Sequence, residues 1–139
     1  MNKIQFIIYG DPISQGRPKA RRQGEHARVY MPAKVKAAER NILAQAISYR
    51  PEKPLKGGII LSLKFFKPKP KSYPKKRKLN IVKPDLTNME KLVEDALNKV
   101  FWEDDARIFC KTSVKLYGEP ARTEVEIQEI NPDENYQIE

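Results

Sequence analysis

The sequence predicts an α+β fold in which a small mixed β-sheet packs against two main helices. Three observations carry this expectation. Short β-rich runs alternate apolar with polar residues, two longer stretches repeat apolar residues at three- and four-residue spacing, and prolines and glycines separate them. A chain of 139 residues is expected to form a single domain, 1–139, because a chain of this size removes roughly two thirds of its unfolded surface from water.

Lys3 to Tyr9 (KIQFIIY) reads as a strand that Gly10 and Pro12 end. Ser14 to Tyr30 carries Arg17, Lys19, Arg21, Arg22 and Arg28 between glycines and a proline with no clean period, and is expected to be a mobile loop. Pro32 opens a helix from about Ala33 to Tyr49, with Val35, Ala38, Ile42, Ala46 and Ile47 on one face and Arg40 and Gln45 outside it. A turn through Pro51, Pro54, Gly57 and Gly58 leads into a strand from Ile59 to Phe66 (IILSLKFF), where Ser62 and Lys64 alternate with apolar neighbours. Thr87-Asn88-Met89-Glu90 has the form of a capping box, the threonine accepting from the Glu90 amide and the glutamate reaching back. Met89, Leu92, Val93, Ala96, Leu97 and Val100 then hold helical spacing, with Lys91, Glu94 and Asp95 off the apolar stripe. Phe101 and Trp102 are expected in the core. Arg107 to Tyr117 and Arg122 to Ile130 read as two strands joined into a β-hairpin by a turn at Gly118 and Pro120, and residues 131–139 as a polar tail.

Charge narrows the function. A formal net charge of +9 points to an acidic partner, nucleic acid or an anionic membrane surface. No apolar run approaches the length of a spanning helix, and Met1 to Gly10 lacks the charged start and apolar centre of a signal peptide, so a cytoplasmic location is expected. Cys110 and His26 are single residues of their types, which excludes an internal disulfide and a Cys/His zinc site. A bound metal would need carboxylates, and oxygen donors favour Mg2+, with Mn2+ as the alternative.

The densest basic segment holds Lys67, Lys69, Lys71, Lys75, Lys76, Arg77, Lys78 and Lys83, with no acid before Asp85. Prolines at 68, 70, 74 and 84 are expected to keep it extended, spacing its charges along a path suited to a phosphate backbone. Taken alone, such a run is more often a solvated linker. The acids that follow change that balance. Asp85 stands just before a helix start, where the dipole favours an anion. Asp104 and Asp105 lie beyond the helix; if Asp105 turns back toward Asp85, both converge with Asp95 on one site that a divalent ion would neutralise. Each residue has a plain structural alternative: Asp85 as an anion for the dipole, Asp95 as a partner of Lys91 or Lys99, Asp104-Asp105 as turn residues, Lys91 as a surface lysine. Four separate explanations must then hold together in a basic protein, which favours one site.

The pattern K-P-D-x-x-N-x-x-K, then D-A-L, then W-x-D-D-A-x-I, from Lys83 to Ile108, resembles the RusA family of Holliday junction resolvases, phage-derived endonucleases of bacteria. Gly10 to Pro18 (GDPISQGRP) and the order of elements extend the resemblance over most of the chain. The resemblance implies a homodimer of small α+β subunits, each with a Mg2+-dependent site, and paired cleavage of opposed strands at a four-way DNA junction. It places Asp85 as the first metal-binding aspartate, Asp105 as the catalytic aspartate after the helix and Lys91 as the lysine that assists phosphate chemistry, with Asp95 and Asp104 at further acidic positions. Members often read D-L-D-N where this chain has Asp85-Leu86-Thr87-Asn88, so Thr87 replaces an acid and supplies no charge; Glu90, Asp104 or a water held by Thr87 are the candidates to fill that place. Arg17, Lys19, Arg21, Arg22, Lys69, Lys71, Lys75, Lys76, Arg77, Lys78 and Lys83 are expected to grip junction arms through phosphates, with salt-sensitive binding and little base readout. Two rival readings are a branched-DNA binder that Thr87 has left inactive and a non-enzymatic basic nucleic-acid-binding module.

Overall fold

The computed structural model describes residues 3–15, 19–24, 26–30 and 32–137. In chain order the elements are β1 (Lys3–Tyr9), β2 (Lys19–Gln23), β3 (His26–Tyr30), α1 (Ala33–Ala46), β4 (Gly58–Lys67), α2 (Leu86–Leu97), β5 (Ile108–Tyr117) and β6 (Arg122–Ile130). A mixed four-stranded sheet of order β1-β6-β4-β5 packs against α1 and α2, the α+β arrangement that the sequence predicts.

Alternation in β4 sets the core. Ile59, Leu61, Leu63 and Phe65 are buried at 0–1% exposure, while Ser62 and Lys64 face away, as a strand with side chains on alternate faces requires. Val125 and Ile127 of β6 and Phe6 and Ile8 of β1 extend this surface. Met89, Leu92, Val93, Ala96 and Leu97 lay the apolar stripe of α2 on it, and Val35, Ile42 and Ala46 do the same for α1. Phe101 and Trp102 are fully buried below the end of α2. β1 is an edge strand, and its last residue is covered locally: the Gln45 side-chain amide donates to the Tyr9 carbonyl and its oxygen accepts the Tyr9 N–H, both at 2.8 Å.

Four expectations are corrected. The segment expected to be a loop contains the antiparallel pair β2–β3, with Lys19 opposite Tyr30 and Gln23 opposite His26, held by backbone pairing that composition does not reveal. Second, β5 and β6 form no hairpin. β4 lies between them, parallel to β5 and antiparallel to β6, and the connection passes over its end at Phe66. Gly118 is needed there because a Cβ would stand 2.8 Å from the Phe66 ring.

The third correction concerns the start of α2. Asp85 is the N-cap, its carbonyl accepting the Met89 N–H at 3.1 Å, and Thr87 is an exposed residue of the first turn with no side-chain cap bond. Pro84 ends the incoming chain two residues earlier than the capping box implies, and Glu90 pairs with Lys111 at 2.9 Å instead of reaching back. Finally, the basic segment is not extended throughout. Pro carbonyls lack no acceptor capacity, and Pro70 and Pro74 accept the N–H of Tyr73 and Arg77 at 3.0 Å, making two turns. The tail beyond β6 folds back on β5, where Tyr136 meets Phe109 edge-on at 5.0 Å.

Candidate active site

α2 separates two groups of polar side chains. On its β5 flank, Thr87, Glu90 and Glu94 share a face by their i, i+3, i+7 spacing. Lys111 of β5 reaches both glutamates, at 2.9 and 3.1 Å. Burial holds the Glu94 carboxyl above the usual carboxylate range against the pull of Lys111, and the charges of Asp105 and Glu90 add to the rise. Lys111 itself is drawn down by burial, but its bonds to Glu90 and Glu94 outweigh this and leave it raised. The pair is lopsided: one ammonium serves two carboxylates, and Glu94 loses more to desolvation than it regains. A carboxyl with a raised folded pKa contributes stability below its unfolded value and loses it as pH rises through the folded one. Glu94→Gln is therefore expected to raise the melting temperature at pH 7 relative to the parent and to leave it unchanged near pH 4; equal shifts at both would contradict this cause.

The opposite flank carries Lys91 and Asp95. Gln15, buried in the chain before β2, donates its backbone N–H to Asn88 O at 3.1 Å and its side-chain amide to one Asp95 oxygen. Lys91 Nζ stands 3.5 Å from the other oxygen. Glu39 of α1 faces the same group, its carboxyl raised by burial first and then by the charge of Asp95. At the far end of this strap, Lys67 pairs with Asp11 at 2.8 Å and donates to Pro12 O at 3.0 Å. Asp95 thus ties residues 11–15 to α2. Asp95→Ala leaves the buried Gln15 amide unpaired and is expected to cost about 1–3 kcal/mol in urea unfolding. Asp95→Asn keeps an acceptor and should cost clearly less.

At the start of α2, the Asp85 carboxylate accepts from Lys83 Nζ at 2.8 Å. That bond, with the Lys83 charge and then the Lys115 charge, holds it below the usual carboxylate range. Lys115, on the helix-facing side of β5, donates to Val82 O at 2.6 Å and Pro84 O at 3.2 Å, fixing the chain that delivers Asp85. Asp105 lies past the other end of α2, where it accepts the fully buried Trp102 indole N–H at 2.8 Å. Asp104 caps the short turn before β5, accepting from Ala106 N–H at 3.3 Å and Lys99 Nζ at 3.4 Å; the first of these chiefly lowers its pKa.

Asp85, Asp95, Asp104 and Asp105 are therefore not brought together within one chain. α2, 12 residues long, puts about 18 Å between the Asp85 and Asp105 ends at its rise per residue. Among the described residues, no group of three or more His, Cys, Asp or Glu is placed to hold a metal ion. Asp85, Asp95 and Asp104 each pair with a lysine instead, and Asp105 with the Trp102 indole.

The basic residues sort more simply. Arg17 lies outside the described residues. Lys19 and Arg21 are on β2, and exposed Arg22 bonds Gly24 O at 3.2 Å. The two turns after β4 gather Lys69, Arg77 and Lys78: loss of water first, then the charges of Lys78 and Arg77, lower the Lys69 pKa. Lys71, Lys75, Lys76, Lys78 and Lys83 are exposed, and Arg77 lies 5.9 Å over the Tyr73 ring. Gln15, Lys111 and Lys115 were not singled out from sequence. A signal existed for the lysines, because Lys111, Ser113 and Lys115 recur at the two-residue spacing that puts them on one face of a strand, the face that the structure pairs with Leu61, Leu63 and Phe65.

Fold and site define a small basic α+β protein whose lysine-rich segment ends at Asp85, a carboxylate bonded to Lys83. The family model described as "Endodeoxyribonuclease RusA" matches residues 9–128, and the chain belongs to this family of endodeoxyribonucleases. It is also 32% identical over 141 residues to "Uncharacterized protein YqaN" of Bacillus subtilis (strain 168), an alignment covering 94% of this chain and 99% of that protein. No helix among the described residues is long and apolar enough to cross a membrane.

Proposed function

We propose that the chain is a structure-selective endodeoxyribonuclease of the cytoplasm that resolves four-way DNA junctions by paired strand cleavage, acting as a homodimer in recombination and repair. The observation that carries this is the convergence of the basic segment on Asp85: residues 67–83 lead without an acid to an aspartate kept ionised between Lys83 and Lys115. The seven cations from Lys69 to Lys83 would track two phosphate backbones. A dimer would set one site on each of two opposed strands, matching the two-fold symmetry of the substrate.

In hydrolysis, a water oxygen bonds to phosphorus, the bond to the 3′-oxygen breaks, and that oxygen leaves with a proton. The products carry a 5′-phosphate and a 3′-hydroxyl, ends that can be religated. Asp85 is the carboxylate that stands where the phosphate arrives. Lys83 and Lys115 neutralise the diester, and Lys91 stabilises the extra charge that develops on its oxygens. The resemblance implies Mg2+, and the donors at hand are the oxygens such an ion prefers. One chain does not form a cage for it, since the carboxylates stand apart and each pairs with a lysine or an N–H donor. That same observation favours a second reading, a protein that binds branched DNA without cutting it.

Cleavage of a four-way junction beside linear duplex of the same arms, in Mg2+, Mn2+ or chelator, separates these readings. Paired nicks confined to the junction are expected; tight binding without cutting in either metal would select the second reading. Lys91→Ala is expected to slow cleavage about 100-fold with junction affinity little changed, and an equal loss in both would reduce Lys91 to a phosphate contact.

A further inference from the structure

The cations of residues 67–85 have a role in the function proposed above, but two aliphatic side chains among them do not. Leu79 and Ile81 are each 69% exposed, the most exposed large apolar side chains among the described residues. Their exposure is built in. From Leu79 to Asp85 the chain alternates: Asn80 is buried at 7%, and Val82 and Pro84 are half-buried with both carbonyls bound by Lys115. Leu79, Ile81 and Lys83 therefore point outward in a row that ends at Asp85.

Holding Leu and Ile in water forgoes about 1.5–3 kcal/mol each, and adjoining exposed apolar side chains rimmed by polar residues mark a contact surface. The surroundings say which kind. Six cations lie between Lys71 and Lys83, with no acid among them. A second copy of this segment would be repelled, and protein interfaces of ordinary composition are depleted in lysine. DNA accepts both features, because aliphatic wedges enter between base steps while cations hold the flanking phosphates. The cost of unstacking is least where stacking is already broken, as at a branch point.

We propose that Leu79 and Ile81 form a wedge that enters the DNA at the branch, so that the protein recognises the discontinuity in stacking itself. This rests on the reading of the chain as a branched-DNA nuclease. It also fixes where cutting occurs. Ile81 and Asp85 are four positions apart, a reach of at most about 14 Å, so the scissile phosphate lies within about four nucleotides of the branch at 3.4 Å each.

The test uses a four-way junction with 2-aminopurine at the branch, and the full chain as wild type, Leu79→Ser/Ile81→Ser, and Leu79→Phe/Ile81→Phe. Wild type and the phenylalanine variant should raise the fluorescence severalfold on binding. The serine variant should bind linear duplex as wild type does, lose the fluorescence rise and bind the junction about tenfold more weakly. Tight junction binding with no rise in the wild type, or a rise that the serine variant keeps, would overturn the wedge and leave the nuclease reading standing. Loss of self-association in the serine variant, seen by sedimentation with the rise intact, would assign the pair to a protein contact and also overturn it. No preference of the wild type for junction over duplex would remove both the wedge and the reading beneath it.

Discussion

Asp85→Asn is expected to lower junction cleavage by about 1,000-fold or more while the protein folds and binds as before. The amide matches the carboxylate in shape but carries no charge and takes no proton. Stability should hardly change, because the pair with Lys83 is exposed, with side-chain exposures of 86% and 52%, and exposed pairs contribute little. The hydrogen bond from Lys83 first, then the Lys83 and Lys115 charges, also hold the Asp85 carboxyl below the usual carboxylate range. Activity should therefore hold as pH falls through the ordinary aspartate range. Side-by-side measurement of cleavage rate, junction affinity and melting temperature checks all three, and retained cleavage in the variant would remove Asp85 from the chemistry.

The second large effect is on the fold. Trp102→Ala is expected to destabilise the protein by about 3–5 kcal/mol, the cost of emptying a fully buried aromatic site. It would also deprive Asp105 of the indole N–H it accepts at 2.8 Å. Trp102→Phe fills most of the space and removes only that donor, so it should fall well short of the alanine variant in a denaturant titration. Equal losses would mean that the hydrogen bond, not the ring, holds this corner. The comparison also bears on Asp105, whose visible contact is structural.

Much of this architecture was legible in the chain because the core elements advertise themselves by period. β4 alternates so regularly that its four buried side chains could be read off, and the stripe of α2 was equally plain. Strand order was not legible. Gly118 and Pro120 announce a turn, but turn chemistry is local, and nothing in it says that β4 will lie between the strands it joins. β2 and β3 were missed for a related reason: they are polar, and Arg21 stands directly opposite Arg28, a like-charge register that side-chain patterning argues against. At the site, the sequence pointed to α2 and the acids around it, yet three-dimensional convergence depends on helix length, and α2 keeps Asp85 and Asp105 at opposite ends. Gln15 escaped notice because a buried glutamine has no sequence signature; its partner, Asp95, lies 80 positions away.

The order β1-β6-β4-β5 has a consequence for how the chain can be divided. Strands before the basic segment and strands after it alternate across the sheet, and each half contributes one of the two helices. Cutting between Lys75 and Lys76 would leave two fragments, neither holding two adjacent strands of the four-stranded sheet. Neither half should fold alone, and the two expressed together should reassemble like the teeth of a zip, which makes this exposed stretch a natural split point for a two-part reporter of junction binding.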